Sequence, residues 1–91
     1  MPSFFTNDYQ KLIGYLVDVR RKRNITQTQL AEAMRIEQTL VSRIERCERR
    51  LDAVEFYHIC TLLGVTTDDI YRHLAPRFQA LPAVKKKVDG L

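Results

Sequence analysis

Apolar residues return every three or four positions in five successive stretches of the chain, and that period predicts an all-α fold of five short helices. In the first, from Tyr9 to Arg23, the residues Tyr9, Leu12, Ile13, Leu16, Val17 and Val19 share one face, with Asp8 placed as the N-terminal cap. A basic last turn followed by Asn24, which tolerates the left-handed conformation, ends it. The second opens with Thr26-Gln27-Thr28-Gln29, where the Thr26 hydroxyl can accept from the Gln29 backbone and the Gln29 side chain can reach back; Leu30, Ala31 and Met34 form its inward stripe. The third, from about Gln38 to Arg46, turns Val41 and Ile44 inward with Leu40 at the margin. Its other face gathers Gln38, Thr39, Ser42, Arg43 and Arg46.

Asp52-Ala53-Val54-Glu55 starts a fourth helix whose apolar positions are Val54, Phe56, Ile59, Cys60, Leu62 and Leu63, and Gly64 stops it. Thr66-Thr67-Asp68-Asp69 starts a fifth carrying Ile70, Tyr71 and Leu74, with its acids where the helix dipole favours them. Pro76 closes the compact part. The pattern thus divides the chain into an N-terminal arm, 1–8, one helical domain, 9–75, and a basic C-terminal tail, 76–91. In the tail, Phe78, Leu81, Val84 and Val88 are spaced for either a weak helix after Pro82 or a disordered segment. The Lys85-Lys86-Lys87 run reads as solvated, with a DNA-contacting or dimer-completing tail as the sharper alternative.

Ninety-one residues suit one small core. The formal charge of +4 is unevenly spread: between Arg20 and Arg50 nine Lys and Arg face four Glu, a net of +5, and the rest of the chain carries −1. All the excess positive charge therefore surrounds the second and third helices, where a polyanion would release counterions on binding. Taken alone, such a surface reads equally well as a solvated Lys/Arg-rich face.

Cys47 and Cys60 have neither Cys-x-x-Cys spacing nor flanking histidines at zinc spacing, so reduced thiols and no bound metal are expected. The first residues lack the basic start and apolar run of a secretion signal, and no uncharged stretch approaches the roughly 18 residues that cross a bilayer. A cytoplasmic protein without membrane partners is the simplest expectation. His58 and His73 are isolated, and neither a phosphate-cradling glycine loop nor a nucleophile motif occurs. An enzyme, a cofactor and a small-molecule substrate are accordingly not expected.

Two short amphipathic helices joined by a tight turn, the second presenting polar side chains, form the pattern of a helix-turn-helix DNA reader. The surrounding residues make the likeness specific: Arg20, Thr26-Gln27 with Leu30-Ala31, the block Gln38 to Glu45 with Ser42-Arg43-Ile44-Glu45, and Ile59 through Leu63-Gly64-Val65, in order and at the right separations. From about Tyr9 to Leu74 the chain resembles the lambda-repressor-like (XRE/Cro-type) helix-turn-helix regulators of phages and bacteria.

That resemblance implies a compact five-helix DNA-binding domain whose third helix lies in the major groove of double-stranded DNA. It places Gln38, Thr39 and Arg43 at base edges with Ser42 beside them; Gln suits adenine N6 and N7, and Arg suits guanine O6 and N7. Gln27 and Thr28 at the start of helix two, and Arg46, Arg49, Arg50 and Arg23, would meet phosphates, which position the protein without reading sequence. Arg20 and Glu45 would form an internal ion pair joining helix one to helix three. Relatives usually carry Gly at the positions of Arg35 and Cys47, so this chain either adjusts those turns or tolerates strain.

The function expected on this basis is transcriptional regulation by a repressor binding a palindromic operator as a homodimer. Tyr71, Leu74, Phe78 and Leu81, with Phe4 and Phe5, are the dimer candidates, although the same residues could complete the monomer core. An antitoxin or a restriction-modification controller would look alike. The reading from a different class is a protein-interaction module docking on polymerase or another regulator, which the polar face of Gln38, Thr39 and Arg43 disfavours.

Overall fold

The computed structural model describes residues 6–84, and these form five α-helices followed by a short 3-10 helix. The helices are α1 Asn7–Lys22, α2 Gln27–Met34, α3 Gln38–Glu45, α4 Ala53–Leu63 and α5 Thr67–His73, with the 3-10 helix at Ala75–Arg77. Phe4, Phe5, Val88 and the Lys85-Lys86-Lys87 run lie outside the described residues.

Helix α1 begins two residues before the Tyr9 start that its periodicity suggested. The cap is Thr6, not Asp8: its backbone is extended, and its hydroxyl accepts from the Tyr9 amide at 3.1 Å. Asp8 instead sits in the first turn and reaches the far end of the fold, accepting from the Gln79 amide at 3.1 Å. Nearby, the Lys11 ammonium donates to the Arg77 carbonyl at 2.8 Å. The chain therefore does not leave the domain at Pro76; residues through Gln79 lie back along α1, and Phe78 is half-buried. Between Gln79 and Val84 no helix forms.

The other cap signals act as read. Thr26 and Gln29 form a reciprocal capping box on α2, with bonds of 3.0 and 2.8 Å. Asp52 with Glu55 and Thr66 with Asp69 repeat the arrangement on α4 and α5.

Four helices end through one device. After α1, α2, α3 and α4 comes a residue with left-handed backbone (Asn24, Arg35, Cys47 and Gly64, φ 57–70°). The next residue's amide then bonds the carbonyl five positions back: Ile25 to Arg20 at 3.1 Å, Ile36 to Ala31 at 3.0 Å, Glu48 to Arg43 at 2.9 Å and Val65 to Cys60 at 2.8 Å. In three of the four the closing residue is apolar and packs on the core, the hydrophobic contact that accompanies this helix end. Arg35 and Cys47 thus adopt the conformation that glycine would take there. The chain accepts the local cost, about 1 to 2 kcal/mol for each side chain.

Helix α2 packs on α3 and α4, and α1 packs on α3 and α4, around Ile13, Leu16, Leu30, Ala31, Val41, Ile44, Leu51, Ile59, Cys60, Leu63 and Val65. Leu74 is 0% exposed, so it closes the monomer core and offers nothing to a second copy, which corrects its candidacy as a dimer contact. On α4 the buried row is Ile59, Cys60 and Leu63 with Phe56 half-buried. Val54 and Leu62 fall with His58 on a solvent row spaced by four residues, and are 64% and 41% exposed rather than inward.

Candidate nucleic-acid interface

Polar and cationic side chains of α3 and its flanks share one region of the surface, tied to the scaffold by a chain of hydrogen bonds. At its base Arg20 of α1 is only 7% exposed. Its Nε donates to Glu45 Oε2 at 2.6 Å, one Nη donates to Glu45 Oε1 at 2.9 Å, and the other donates to the Ile25 carbonyl at 2.7 Å. Two parallel bonds to one carboxylate fix α3 against α1 in rotation as well as distance.

Glu45 continues the chain. Its Oε1 also accepts from Gln27 Nε2 at 2.8 Å, and Gln27 Oε1 accepts from Gln38 Nε2 at 2.7 Å. The carboxylate accepts only, so it determines which end of the Gln27 amide faces it, and Gln27 in turn determines which end of Gln38 faces α2. Gln38 is left with its carbonyl oxygen and one amide hydrogen for a partner outside the chain. The sequence placed Gln27 at a phosphate and Gln38 at a base; it carried no signal that the two side chains are joined.

Thr39 and Arg43 lie exposed on the same side of α3, and the Arg43 guanidinium has no hydrogen bond or ion pair among the described residues. Ser42 is half-buried and accepts from Arg46 at 2.9 Å. Arg46 also pairs with Glu48 at 2.6 Å, and that bond holds the Glu48 carboxyl below its usual range. Both side chains are more than half exposed, so solvent screens the pair and it contributes little to stability.

The arginines after α3 are held by α4 and α1. Arg49 donates to Glu55 Oε1 at 2.6 Å; the bond raises the guanidinium's pKa and lowers that of the carboxyl, which also accepts from the Asp52 amide. Arg50 lies over the Tyr9 ring at 4.9 Å, and the Tyr9 hydroxyl accepts from the Leu51 amide at 3.0 Å. Thr28 is exposed in the first turn of α2.

Arg23, expected at a phosphate, instead donates to the Leu63 carbonyl at the end of α4, where a cation complements the helix dipole. A Cβ on Gly64 would collide with that guanidinium, so Gly64 serves both the left-handed turn and Arg23's approach.

Other candidate chemistry lies elsewhere. Cys60 is buried and Cys47 half-buried, and burial pushes both thiols' pKa values up, away from the reactive thiolate. His73 stacks on Tyr15 with centroids 5.7 Å apart, and His58 meets the Tyr57 ring edge-on at 5.4 Å. Among the described residues no cluster of three potential metal ligands occurs, and no helix is long and apolar enough to cross a membrane.

A family model described as helix-turn-helix matches residues 16–70, more than half of the chain and the whole of α2, α3 and α4. No curated protein shows significant similarity to the chain.

Proposed function

The chain belongs to the lambda-repressor-like (XRE) helix-turn-helix family of DNA-binding regulators, and from that premise we propose that it is a repressor that binds a palindromic operator as a homodimer. The observation that carries the reading is the α3 face: an exposed Arg43 with no hydrogen bond or ion pair among the described residues, on the same helix as Gln38, whose amide orientation is set by Gln27 and Glu45. With α3 in the major groove, the remaining Gln38 oxygen and hydrogen match adenine N6 and N7. Arg43 matches guanine O6 and N7, and Thr39 can place its methyl against thymine.

Around this face Arg46, Arg49 and Arg50, with the amides and side chains at Gln27 and Thr28, follow the phosphates. The intramolecular partners of the three arginines pre-position them, so less side-chain freedom is lost on binding. Arg20 and Glu45 touch no base and act as the brace that holds α3.

One such domain reads few base pairs, and a two-fold dimer spanning half-sites ~34 Å apart supplies the rest of the selectivity. An open groove of about 510 Å³ beside α4 and α5, lined by Phe56, Tyr57, Cys60, Ile70 and Tyr71, supports a dimer face there. Tyr71 and Leu81 are 72% and 80% exposed and half-buried Phe78 lies in the tail, so these three remain dimer candidates. Such a repressor acts by occupying promoter DNA that polymerase would otherwise use.

Titrating the protein with genomic DNA fragments at low and moderate salt tests the reading. The expected result is binding that weakens steeply with salt and favours a few fragments over the rest. No salt-sensitive binding at all would favour a protein-docking role instead.

A further inference from the structure

Among the described residues three carboxylates lie on or beside α3 in the chain, and two of them are paired within the fold. Glu45 is held by Arg20 and Gln27, and Glu48 by Arg46. Glu37 is different. It is the N-cap residue of α3 with extended backbone, φ −76° and ψ 147°, and its carbonyl accepts from the Leu40 amide at 3.0 Å. Its side chain makes no capping bond and is exposed, with no hydrogen bond or ion pair among the described residues. An acceptor-only group thus stands one residue before Gln38, on the helix that carries Thr39 and Arg43.

Such a carboxylate is unfavourable against any DNA backbone. Phosphates lie well within a Debye length of about 8 Å from anything docked in a groove, and each repels it. The exception is a base edge that offers hydrogens. In the major groove only cytosine N4 and adenine N6 donate. Adenine sets the N7 acceptor beside its donor, and guanine presents two acceptors, so the carboxylate is matched best by cytosine and worst by guanine.

We propose that Glu37 is a specificity-determining residue of the DNA-reading face, accepting from cytosine N4 at the base pair adjoining the one that Gln38 reads. This rests on the reading of α3 as the major-groove helix. Glu37 selects mainly by exclusion: a guanine there leaves the carboxylate both repelled and without a partner, as does a register that places it against phosphate.

The test is enrichment from a randomised double-stranded DNA library with the wild-type chain, Glu37→Gln and Glu37→Ala, followed by affinity measurements on single-base variants of the enriched site. Because the Glu37 side chain makes no hydrogen bond or ion pair among the described residues and only the helix dipole favours its charge, both variants should melt within a few degrees of the wild type. The wild type should prefer cytosine over guanine about tenfold at one base pair per half-site. Both variants should lose that preference while keeping the others, including the one that Arg43→Ala removes. Unchanged preferences at every position, with the variants binding all sequences uniformly tighter, would overturn the proposal and leave Glu37 a purely repulsive charge. A wild type that enriches no sequence would instead contradict the DNA-reading function beneath it.

Discussion

Removing the Glu45 carboxylate should cost a substantial part of the fold's stability. In Glu45→Ala the Arg20 guanidinium stays in a site that leaves it 7% exposed, losing two of its three acceptors, and the Gln27 amide loses the oxygen that orients it. The pair's side chains are 8% and 12% exposed, and breaking a pair buried to that degree costs about 3 to 5 kcal/mol because a desolvated charge is left without a partner. Set against a total stability of about 5 to 15 kcal/mol for a domain of this kind, that is about a fifth of the whole at the least. At about 4 to 8 °C per kcal/mol, melting should fall by at least 12 °C or so.

Circular dichroism during urea and thermal unfolding measures this, and a second variant separates charge from packing. Replacing both partners by apolar residues, Arg20→Met with Glu45→Leu, removes the buried charges together and should recover most of the loss, since the pair's net contribution is small once desolvation is counted. A Glu45→Ala midpoint within about 1 kcal/mol of wild type, or a double variant no better than the single, would refute the reasoning. Measured where the single variant is still folded, DNA affinity should fall and the preference at the Gln38 base pair should weaken, while the preference that Arg43 sets persists. Lost binding with an unchanged melting temperature would make Glu45 a DNA contact rather than a brace.

Arg35→Gly and Cys47→Gly should each stabilise the fold by about 0.5 to 1 kcal/mol, the relief of left-handed strain exceeding the added chain entropy, whereas Gly64→Ala should destabilise because it puts a side chain at φ 70°. Denaturant melts of the three variants check the signs. The Glu55 carboxyl is held below its ordinary value of 4.5 by Arg49 and the Asp52 amide, so its stabilisation is fully present above that value and is lost as pH falls below it through the lower folded pKa. Glu55→Gln should therefore lose less stability than wild type between about pH 5 and 3, as followed by urea unfolding at each pH. Arg43→Ala should cost about 1 to 3 kcal/mol of DNA affinity and relax one base pair per half-site, while Arg50→Ala should weaken all sequences alike and reduce the salt slope by about 1, both measurable by fluorescence anisotropy.

What the sequence made legible was whatever a local rule controls. Thr26 with Gln29, Asp52 with Glu55 and Thr66 with Asp69 are three-residue capping relations, and each forms as read. The inward rows of α2 and α3 follow from the helical period, and Arg35 was visible as a side chain in a glycine's place. What escaped depends on separation along the chain. Asp8 has the local character of a cap, but its partner Gln79 lies 71 residues away, and the backward run of the tail along α1 has no local signal. Arg23 looked like one more cation of a basic patch, since nothing near it in sequence announces the Leu63 carbonyl 40 residues on. Gln27 and Gln38 were each assigned a role, but their coupling through Glu45 needs α1, α2 and α3 docked together. Glu37 drew no notice because an N-cap glutamate is unremarkable until its side chain is seen to make no cap.

The central claim is that α3 reads base edges in the major groove. Library enrichment with the wild-type chain and Arg43→Ala, repeated across a salt series, tests it most directly. The expected result is a palindromic site with a guanine whose preference Arg43→Ala abolishes, and affinity that falls steeply with salt for both proteins. Equal enrichment patterns for the two proteins, or no enriched sequence from the wild type, would contradict it.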